Sequence, residues 1–527
     1  MTKSINPVSN VHNQSSQTMN ELRPIKTLLI ANRGEICIRV MRAAAELGMR
    51  TVAIYSQEDR FSLHRMKADE SYLVGEGKTP VEAYLDIDDI VRVAREAQAD
   101  AIHPGYGFLS ENPQFAEACA AAGIIFVGPT PDTMRRLGNK VAARELAVSA
   151  GVPVMPATPP LPYDEAATAK MALQVGYPVM LKASWGGGGR GMRVIENEAQ
   201  LHENVAAARR EAKAAFGNDE VYLEKLVRRA RHIEVQLLGD THGNLLHLFE
   251  RDCTVQRRNQ KVVERAPASF FNDAQRQSLC EAALKIGRAV QYRNAGTVEF
   301  LQDADTGEFY FIEVNPRIQV EHTITEMVTG VDLVRAQLKV AMGAVIGTPE
   351  SGIPAQADLR LNGFAMQCRI TTEDPENNFV PDYGRITAYR SPAGFGIRLD
   401  AGTAYTGALI TRSYDSLLVK VTAWAPTPAE TAARMHRALW EFRVRGVTTN
   451  LRFLDQLITH PKFLNGDYTT KFIDQTPELF QSPRKRDRAT RLLNFLGDVV
   501  VNGNPEVKGR TLPKNLEIGR ASCRERV

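Results

Sequence analysis

Four consecutive glycines follow a short apolar stretch and are flanked by basic side chains. Residues 179–194 read as a strand, a glycine-rich loop and a second strand. Glycine has no Cβ, so the backbone N–H groups of such a loop can approach a phosphate closely. From the glycines alone, anion binding and a plain flexible turn would be equally good explanations. The basic side chains of Lys182, Arg190 and Arg193 favour anion binding. The loop lacks the Lys-Ser or Lys-Thr pair of a Walker A motif, so we expect a different kind of nucleotide-covering loop.

Two glutamates are predicted to face each other in a β-hairpin. Residues 297–301 and 308–314 are strand-like and are joined by a turn-rich connector at 303–307. If the hairpin is centred on that connector, Glu299 and Glu313 lie almost opposite one another. Like charges so placed would cost about 0.2–1 kcal/mol or more unless a cation separates them. Mg²⁺ takes one or two carboxylates together with phosphate oxygens, so the pair fits a metal–nucleotide site better than two solvated glutamates.

Three further polar stretches have more than one explanation. Residues 103–112, His-Pro-Gly-Tyr-Gly-Phe-Leu-Ser-Glu-Asn, follow a strand and either bind a ligand at the sheet edge or only turn the chain. Residues 250–261 are too polar for a core, so we expect them to face solvent or a polyanionic ligand. Residues 315–322 place charged side chains at a turn that could hold a small anion.

Two single residues are ambiguous on the same grounds. Lys140 opens an alanine-rich helix, where a lysine usually lies on a solvated face. His232 shares a strand face with Glu234 and Gln236, and a lone histidine is more often structural than a ligand.

The elements around these residues predict an α/β fold that is α+β in part. A strand at 26–31, a helix from Gly34 and a strand at 51–55 indicate a Rossmann-like domain with a parallel sheet. A proline-rich connection at 153–162 is a plausible hinge before the unit that contains the glycines. Short strands and turns after about Pro354, with a helix at 428–442, indicate an α+β region that closes near residue 464.

The composition of the 527 residues narrows the class of protein. Lys and Arg total 65 against 61 Asp and Glu, and they are dispersed, so nucleic acid is not the expected partner. The six cysteines form no CxxC pair, which indicates free thiols in a reducing cytoplasm. No apolar run is long enough to span a bilayer, and residues 1–24 lack a signal-type apolar core. We therefore expect a cytoplasmic protein without a membrane partner.

Taken together, the motifs resemble the biotin carboxylase component of biotin-dependent carboxylases, which has an ATP-grasp fold. The resemblance covers about residues 24–464 and is carried by the segments 30–36 (Ile-Ala-Asn-Arg-Gly-Glu-Ile), 103–112, 182–193, 250–261 and 315–322. Within that family it is closest to the pyruvate carboxylase branch, because of the segments 371–375, 443–450 and 467–480. One departure is Asn259, which stands where the family leads us to expect a histidine near the nucleotide.

The resemblance implies a domain assignment and a set of site residues. The domains are a disordered tail at 1–24, a Rossmann-like domain at 25–139, an ATP-grasp domain at 140–345 with a lid at about 155–228, an α+β domain at 355–464, the start of a tether at 465–510 and a possibly non-native tail at 517–527. The implied ATP ligands are Lys140, Lys182, Glu224, Lys225, His232 and Gln256, with Gly187 and Gly188 in the closing loop. Glu299 and Glu313, supported by Asn315, would hold Mg²⁺ or Mn²⁺. Bicarbonate would be bound by Lys261, Arg317, Gln319 and Val320. Lys261 and Arg317 would also be catalytic, together with Glu321, which would remove the bicarbonate proton, and Arg369, which would stabilise the biotin enolate.

The implied activity is that of a ligase that forms a carbon–nitrogen bond. Bicarbonate would attack the γ-phosphate of ATP to give carboxyphosphate, which would decompose to CO₂ and phosphate before carboxylation of biotin N1′. This would be the first half-reaction of a pyruvate carboxylase, with biotin on a carrier domain absent from this chain. The implied partners are that carrier, a carboxyltransferase domain and further copies of the chain in a dimer or tetramer. The alternatives are a biotin carboxylase subunit of an acyl-CoA carboxylase and a non-catalytic ATP-binding module.

Overall fold

The computed structural model describes residues 23–185, 192–481 and 488–503. The chain divides into two compact units, Met1–Phe480 and Gln481–Val527. The larger unit mixes helices with parallel and antiparallel sheets, so the predicted α/β class is confirmed.

The amino-terminal part is a parallel sheet flanked by helices, as predicted. Its five strands are arranged in the order β3-β2-β1-β4-β5. The four residues of β1, Thr-Leu-Leu-Ile, are all buried, which is typical of a parallel strand covered on both faces. The elements are β1 (Thr27–Ile30), α1 (Gly34–Glu46), β2 (Arg50–Tyr55), α2 (Leu63–Lys67), β3 (Glu70–Leu73), α3 (Pro80–Ala83), α4 (Ile87–Glu96), β4 (Ala101–His103), α5 (Pro113–Ala121), β5 (Ile125–Phe126) and α6 (Pro131–Gly138).

A small three-stranded sheet with its own core follows. The elements are α7 (Lys140–Ser149), α8 (Glu165–Val175), β6 (Val179–Ala183), β7 (Arg193–Ile195), α9 (Leu201–Phe216) and β8 (Val221–Lys225). The two strands on either side of the glycines pair antiparallel, with Met180 opposite Val194. The two predicted strands are therefore present, whereas the glycines between them, including Gly187 and Gly188, lie outside the described residues.

An eight-stranded antiparallel sheet holds the rest of the larger unit together. The elements that follow are β9 (Ala230–Gly239), β10 (Leu245–Arg257), β11 (Gln260–Ala266), α10 (Asp273–Ala289), β12 (Asn294–Asp303), β13 (Phe309–Asn315), α11 (His322–Thr329), α12 (Leu333–Ala341), β14 (Phe364–Thr371), β15 (Glu373–Asp374), β16 (Val380–Pro381), β17 (Gly384–Arg385), β18 (Ala388–Arg390), β19 (Ile397–Ala401), β20 (Leu409–Ile410), β21 (Leu417–Ala425), α13 (Pro428–Glu441), β22 (Arg443–Arg445), α14 (Leu451–Thr459) and α15 (Pro461–Leu464). The strand order is β13-β12-β9-β10-β11-β14-β21-β19. Pairing of Val263 with Cys368 joins β11 to β14, so one sheet runs through the predicted central and carboxy-terminal domains.

The carboxy-terminal core extends farther along the chain than the sequence indicated. Tyr468, Phe472, Ile473 and Leu479 are buried in the same apolar cluster as α13 and α14. The expected start of a tether at residue 465 is therefore wrong for residues up to Phe480. Polar, turn-rich residues between these apolar side chains hide the buried pattern.

The second unit contains α16 (Arg488–Asn502), most of whose apolar side chains, including Leu493 and Val501, are exposed. In the parts of the chain that the structure describes, no helix has the length and apolar character needed to cross a bilayer.

Candidate functional site

The first part of the polar stretch at 250–261 is buried inside the eight-stranded sheet instead of facing solvent, whereas residues 258–260 are exposed. Arg251 is completely buried, and its guanidinium donates to Glu234 (2.5 Å), Gln236 (2.7 Å) and Gln319 (2.8 Å). A buried charge is tolerated where it is paired and its hydrogen-bonding groups are satisfied. The partners lie 15 to 68 residues away in the sequence, so local composition could not reveal them.

Lys261 is the centre of this charged interior. Its Nζ donates to Glu234 Oε2 (2.5 Å), Glu299 Oε1 (2.9 Å) and Glu321 Oε1 (2.6 Å). Burial alone would lower the pKa of the Lys261 ammonium, but the three carboxylates hold that pKa well above its usual range. Lys261 therefore remains charged and ties a strand of the sheet to the residue that precedes α11.

The predicted hairpin register is confirmed, because Glu299 pairs with Glu313 across β12 and β13. Side chains of the protein offset the repulsion: Lys140 Nζ lies 2.8 Å from Glu313, Lys261 Nζ contacts Glu299, and His232 Nε2 lies 3.0 Å from Glu299. Although burial would raise the pKa of Glu299, Lys261 and His232 hold that pKa well below its usual range. Two ionised carboxylates side by side are a suitable donor set for a hard divalent cation.

Two side-chain amides donate hydrogen bonds to the Glu299 carboxylate. Asn315 Nδ2 donates to Glu299 Oε1 at 2.9 Å, and Gln319 Nε2 donates to the same oxygen at 3.0 Å. Gln256 Nε2 donates to His232 Nδ1 at 2.6 Å, and the other ring nitrogen of His232 lies 3.0 Å from the Glu299 carboxylate. The residues assigned separately to ATP and to metal thus form one network.

Glu321 lies between two cations at the start of α11. Besides Lys261, it accepts a hydrogen bond from Arg369 Nη2 at 3.1 Å, and Arg369 is held in turn by Glu264, whose Oε1 lies 2.6 Å from its Nε. Burial would raise the pKa of Glu321, but Lys261 and Arg369 hold that pKa far below its usual range. Glu321 is therefore an ionised carboxylate at neutral pH.

Arg317 connects two of the sequence motifs. Its Nε donates to Glu111 Oε1 at 2.6 Å, and its Nη2 donates to Asn315 Oδ1 at 3.1 Å. The loop at 103–112 is thereby joined to the turn at 315–322.

The remaining predicted ATP ligands form a separate group on the three-stranded sheet. Lys182 Nζ and the Glu224 carboxylate form an ion pair. Lys225 Nζ instead turns back to the backbone and donates to the carbonyl oxygens of Gly176 (2.7 Å) and Tyr177 (3.1 Å).

A cavity of about 920 Å³ opens beside the charged interior. Its lining includes Lys261, Arg317, Val320 and Arg369 on one side and Tyr106 on another. A cavity of this size accommodates a small-molecule substrate with its polar groups directed at a few fixed side chains.

Sequence reasoning missed five buried groups that support the site: Glu35, Glu234, Arg251, Glu264 and Lys420. Glu234 and Lys420 lie between apolar neighbours on their strands, and such a charge is uncommon unless it is paired. Arg251 and Glu264 have charged neighbours in the sequence, so they carried no comparable signal.

Comparisons with protein-family models match most of the larger unit. The model "Biotin carboxylase, N-terminal domain" matches residues 24–134, "Carbamoyl-phosphate synthase L chain, ATP binding domain" matches residues 139–348, and "Biotin carboxylase C-terminal domain" matches residues 367–475.

Individual proteins give the same result. The pyruvate carboxylase of Bacillus subtilis (strain 168) is 54% identical over 489 residues, which are 93% of this chain and 42% of that protein. The chain therefore spans less than half the length of this relative. A structure of a Rhizobium etli pyruvate carboxylase variant with the allosteric activator acetyl coenzyme-A is 67% identical with a TM-score of 0.85, covering 94% of this chain and 44% of that one. The biotin carboxylase domain of Hydrogenobacter thermophilus 2-oxoglutarate carboxylase, a dimer in complex with MgADP, ADP and bicarbonate, is 43% identical with a TM-score of 0.84, covering 87% of this chain and 99% of that one.

Proposed function

Because the chain belongs to the biotin carboxylase family, ligases that form a carbon–nitrogen bond by carboxylating biotin with ATP and bicarbonate, we propose that it catalyses the first half-reaction of a pyruvate carboxylase. The observation that carries the proposal is the ammonium of Lys261, which contacts Glu299 of the carboxylate pair and Glu321 of the turn at 315–322. One charged group thus links the nucleotide side of the site to the bicarbonate side.

Bicarbonate binding is assigned to Lys261, Arg317, Gln319 and the backbone of Val320. The two cations and the Gln319 amide lie around the turn that precedes α11, where an anion would offset the charge of the arginine and lysine. Both cations already form ion pairs with carboxylates of the protein. A bound anion would therefore replace those carboxylates as the partner of each cation, because neither cation is unpaired beforehand.

Glu321 is assigned as the group that accepts the bicarbonate proton. Its low pKa means that it is ionised and able to accept a proton at neutral pH, but it is a weak base while both Lys261 and Arg369 contact it. Bicarbonate would draw Lys261 towards itself and would thereby raise the basicity of Glu321 at the moment of attack.

The deprotonated bicarbonate oxygen would form a bond to the γ-phosphorus of ATP as the bond to the ADP oxygen breaks. Lys140 and Lys182, with Glu224, Lys225, His232 and Gln256, are assigned to hold the nucleotide in line for this step. Glu299 and Glu313, supported by Asn315, would hold Mg²⁺ or Mn²⁺, which neutralises developing charge on the phosphates. The carboxyphosphate formed would then release CO₂ and phosphate.

Arg369 is assigned to the second chemical step. It lines the cavity beside Glu321, and a guanidinium there would stabilise the enolate that biotin forms when N1′ takes up CO₂. The biotin would arrive on a carrier domain, and a carboxyltransferase domain would consume the product. The proposal also includes a homo-oligomer and a cytoplasmic location, the latter in keeping with five free, buried cysteines among the described residues.

The test is the release of ADP measured with bicarbonate and free biotin varied independently. We expect release that requires bicarbonate and is stimulated by biotin, and a fall of about 10²–10⁴-fold in Glu321→Gln, as for loss of a general base. Glu281→Gln, on the exposed part of α10, is the matched control and should retain full activity. ADP release that ignores both bicarbonate and biotin, or an active Glu321→Gln enzyme, would refute the proposal.

A further inference from the structure

A fully buried lysine lies behind the turn that carries the bicarbonate residues. Lys420, in β21, has no exposed side-chain surface, and its Nζ donates to two acceptors, Glu35 Oε1 and the carbonyl oxygen of Val320, each at 2.9 Å. Replacing a buried ion pair by apolar side chains of similar volume is often neutral or stabilising. The fold alone therefore gives little reason to keep this pair, and its contact with Val320 suggests another role.

The contact fixes a peptide plane next to the proposed base. The carbonyl of Val320 and the amide nitrogen of Glu321 belong to the same planar unit, so a hydrogen bond to the carbonyl sets the direction in which the Glu321 backbone leaves the turn. The Glu321 side chain then reaches Lys261 at 2.6 Å and Arg369 at 3.1 Å. A shift of this peptide would move the carboxylate relative to both cations.

The other end of the pair is anchored at the start of α1. Tyr106 donates its hydroxyl proton to Glu35 Oε1, and both residues line the cavity. A Cβ on Gly402 would lie 2.7 Å from the backbone nitrogen of Glu35, so this end of α1 is packed too closely against the chain after β19 to move freely. The remaining charged neighbours face other partners: Asp400 is held by Arg398 Nε at 2.7 Å, and His322 Nδ1 lies 2.7 Å from the carbonyl of Gln319.

We propose that Lys420 and Glu35 are positioning residues for bicarbonate activation, which orient the Val320–Glu321 peptide from behind while Tyr106 connects them to the cavity wall. The inference rests on the proposed function and adds two residues that do not touch substrate. It explains why Lys420, in a buried ion pair, also donates a hydrogen bond to the backbone of the bicarbonate turn.

The experiment compares Lys420→Met, Glu35→Gln and the double variant in the full chain, with bicarbonate and ATP varied separately. Lys420→Met leaves a buried carboxylate unpaired, so its Tm should fall, whereas the double variant removes both charges and should recover most of the wild-type Tm. The kcat/KM of the double variant for bicarbonate should nonetheless stay about 10–100-fold below wild type, because a base displaced by a fraction of an ångström is poorly aligned. Its KM for ATP should change little.

A second buried ion pair provides the matched control. Arg276 of α10 contacts Glu250 of β10 at 2.9 Å, and neither residue bonds to the turn at 315–322 within the described part of the chain. The double variant Arg276→Met with Glu250→Gln should leave the bicarbonate kinetics unchanged.

The outcomes separate the two proposals. A wild-type chain without bicarbonate-dependent ADP release contradicts the proposed function itself. An active wild-type chain whose Lys420→Met, Glu35→Gln double variant regains both Tm and bicarbonate kcat/KM shows that the pair is only structural and overturns the inference. An equal fall in kcat/KM for ATP and for bicarbonate in the double variant would also overturn the inference.

Discussion

The two large sheets of this chain are built on opposite principles. The five-stranded parallel sheet has an apolar interior, with Leu28, Leu29 and Ile30 of β1 completely buried. The eight-stranded sheet, in contrast, contains Arg251, Glu234 and Lys420 without any exposed surface. The first sheet is stabilised mainly by removing apolar area from water, and the second depends in addition on ion pairs between strands distant in sequence.

The difference shows where the chemistry is. A charged interior is unfavourable unless every member is paired, so it is retained where ionised groups are needed for another purpose. Substitutions in the charged network around Lys261 should therefore change stability and turnover together, whereas substitutions in the apolar sheet should change stability alone.

The largest effect is expected for Arg251→Met. The substitution removes a cation that donates to Glu234 and Gln319, leaving polar groups of a dry interior without partners, and it should cost about 3–5 kcal/mol of unfolding free energy. Because Gln319 also contacts Glu299, turnover of the remaining folded enzyme should fall as well. Urea unfolding followed by ADP-release kinetics measures both. A variant that loses less than about 1 kcal/mol would mean that the ion pairs contribute little to this sheet.

His103, a polar exception in the apolar sheet, should have an intermediate effect that depends on pH. It is completely buried, its Nδ1 accepts from the Gly105 N–H at 3.0 Å, and its Nε2 faces Gln337 Oε1 at 3.3 Å. Burial lowers the pKa of the imidazole to about 4 from an unfolded value near 6.5. The unfolded chain therefore binds the additional proton, and the stabilisation present above pH 6.5 is lost as the pH falls towards 4.

The measurement is the unfolding free energy of wild type and His103→Gln between pH 6.5 and 5. This group should account for about 1.5 kcal/mol of the wild-type decrease, which the variant should lack. Parallel pH curves for the two proteins would show that folding leaves the pKa of His103 unchanged.

The smallest effect is expected for Ile54→Val in β2. Ile54 is completely buried among apolar side chains, so the loss of one methylene should cost about 1 kcal/mol. The kcat and KM values for ATP and bicarbonate should remain those of wild type, in contrast to Arg251→Met. A kinetic defect in this variant would break the distinction between the two sheets.

The same contrast explains how far the sequence could be interpreted. The parallel sheet was predictable because its strands are short apolar runs separated by helices, and the β12–β13 hairpin because its turn residues set the register of Glu299 and Glu313. The surroundings of β10 were not predictable, because the hydrogen-bond partners of its polar residues lie on strands far away in sequence. The pairing of β11 with β14 was equally invisible, since more than 100 residues separate Val263 from Cys368.

The candidate site likewise has residues that the sequence could identify and residues that it could not. Motifs identified Lys261, Arg317, Glu321 and Arg369 through a family resemblance, and the structure brings these four side chains together beside one cavity. It does not bring Lys225 to them, since that ammonium is bonded to the backbone at Gly176 and Tyr177. The supporting residues Glu35 and Lys420 lie 385 positions apart in the chain, so no local pattern could show that they are paired.

The central claim is that bicarbonate attacks the γ-phosphate of ATP at the site around Lys261. The most direct test supplies bicarbonate labelled with ¹⁸O, together with ATP, Mg²⁺ and free biotin, and measures the label in the inorganic phosphate released. Direct attack makes one bicarbonate oxygen a phosphate oxygen, so each phosphate should acquire one labelled oxygen in step with ADP release. Phosphate that carries only solvent oxygen while ADP is released would show that water attacks ATP, and would contradict the account.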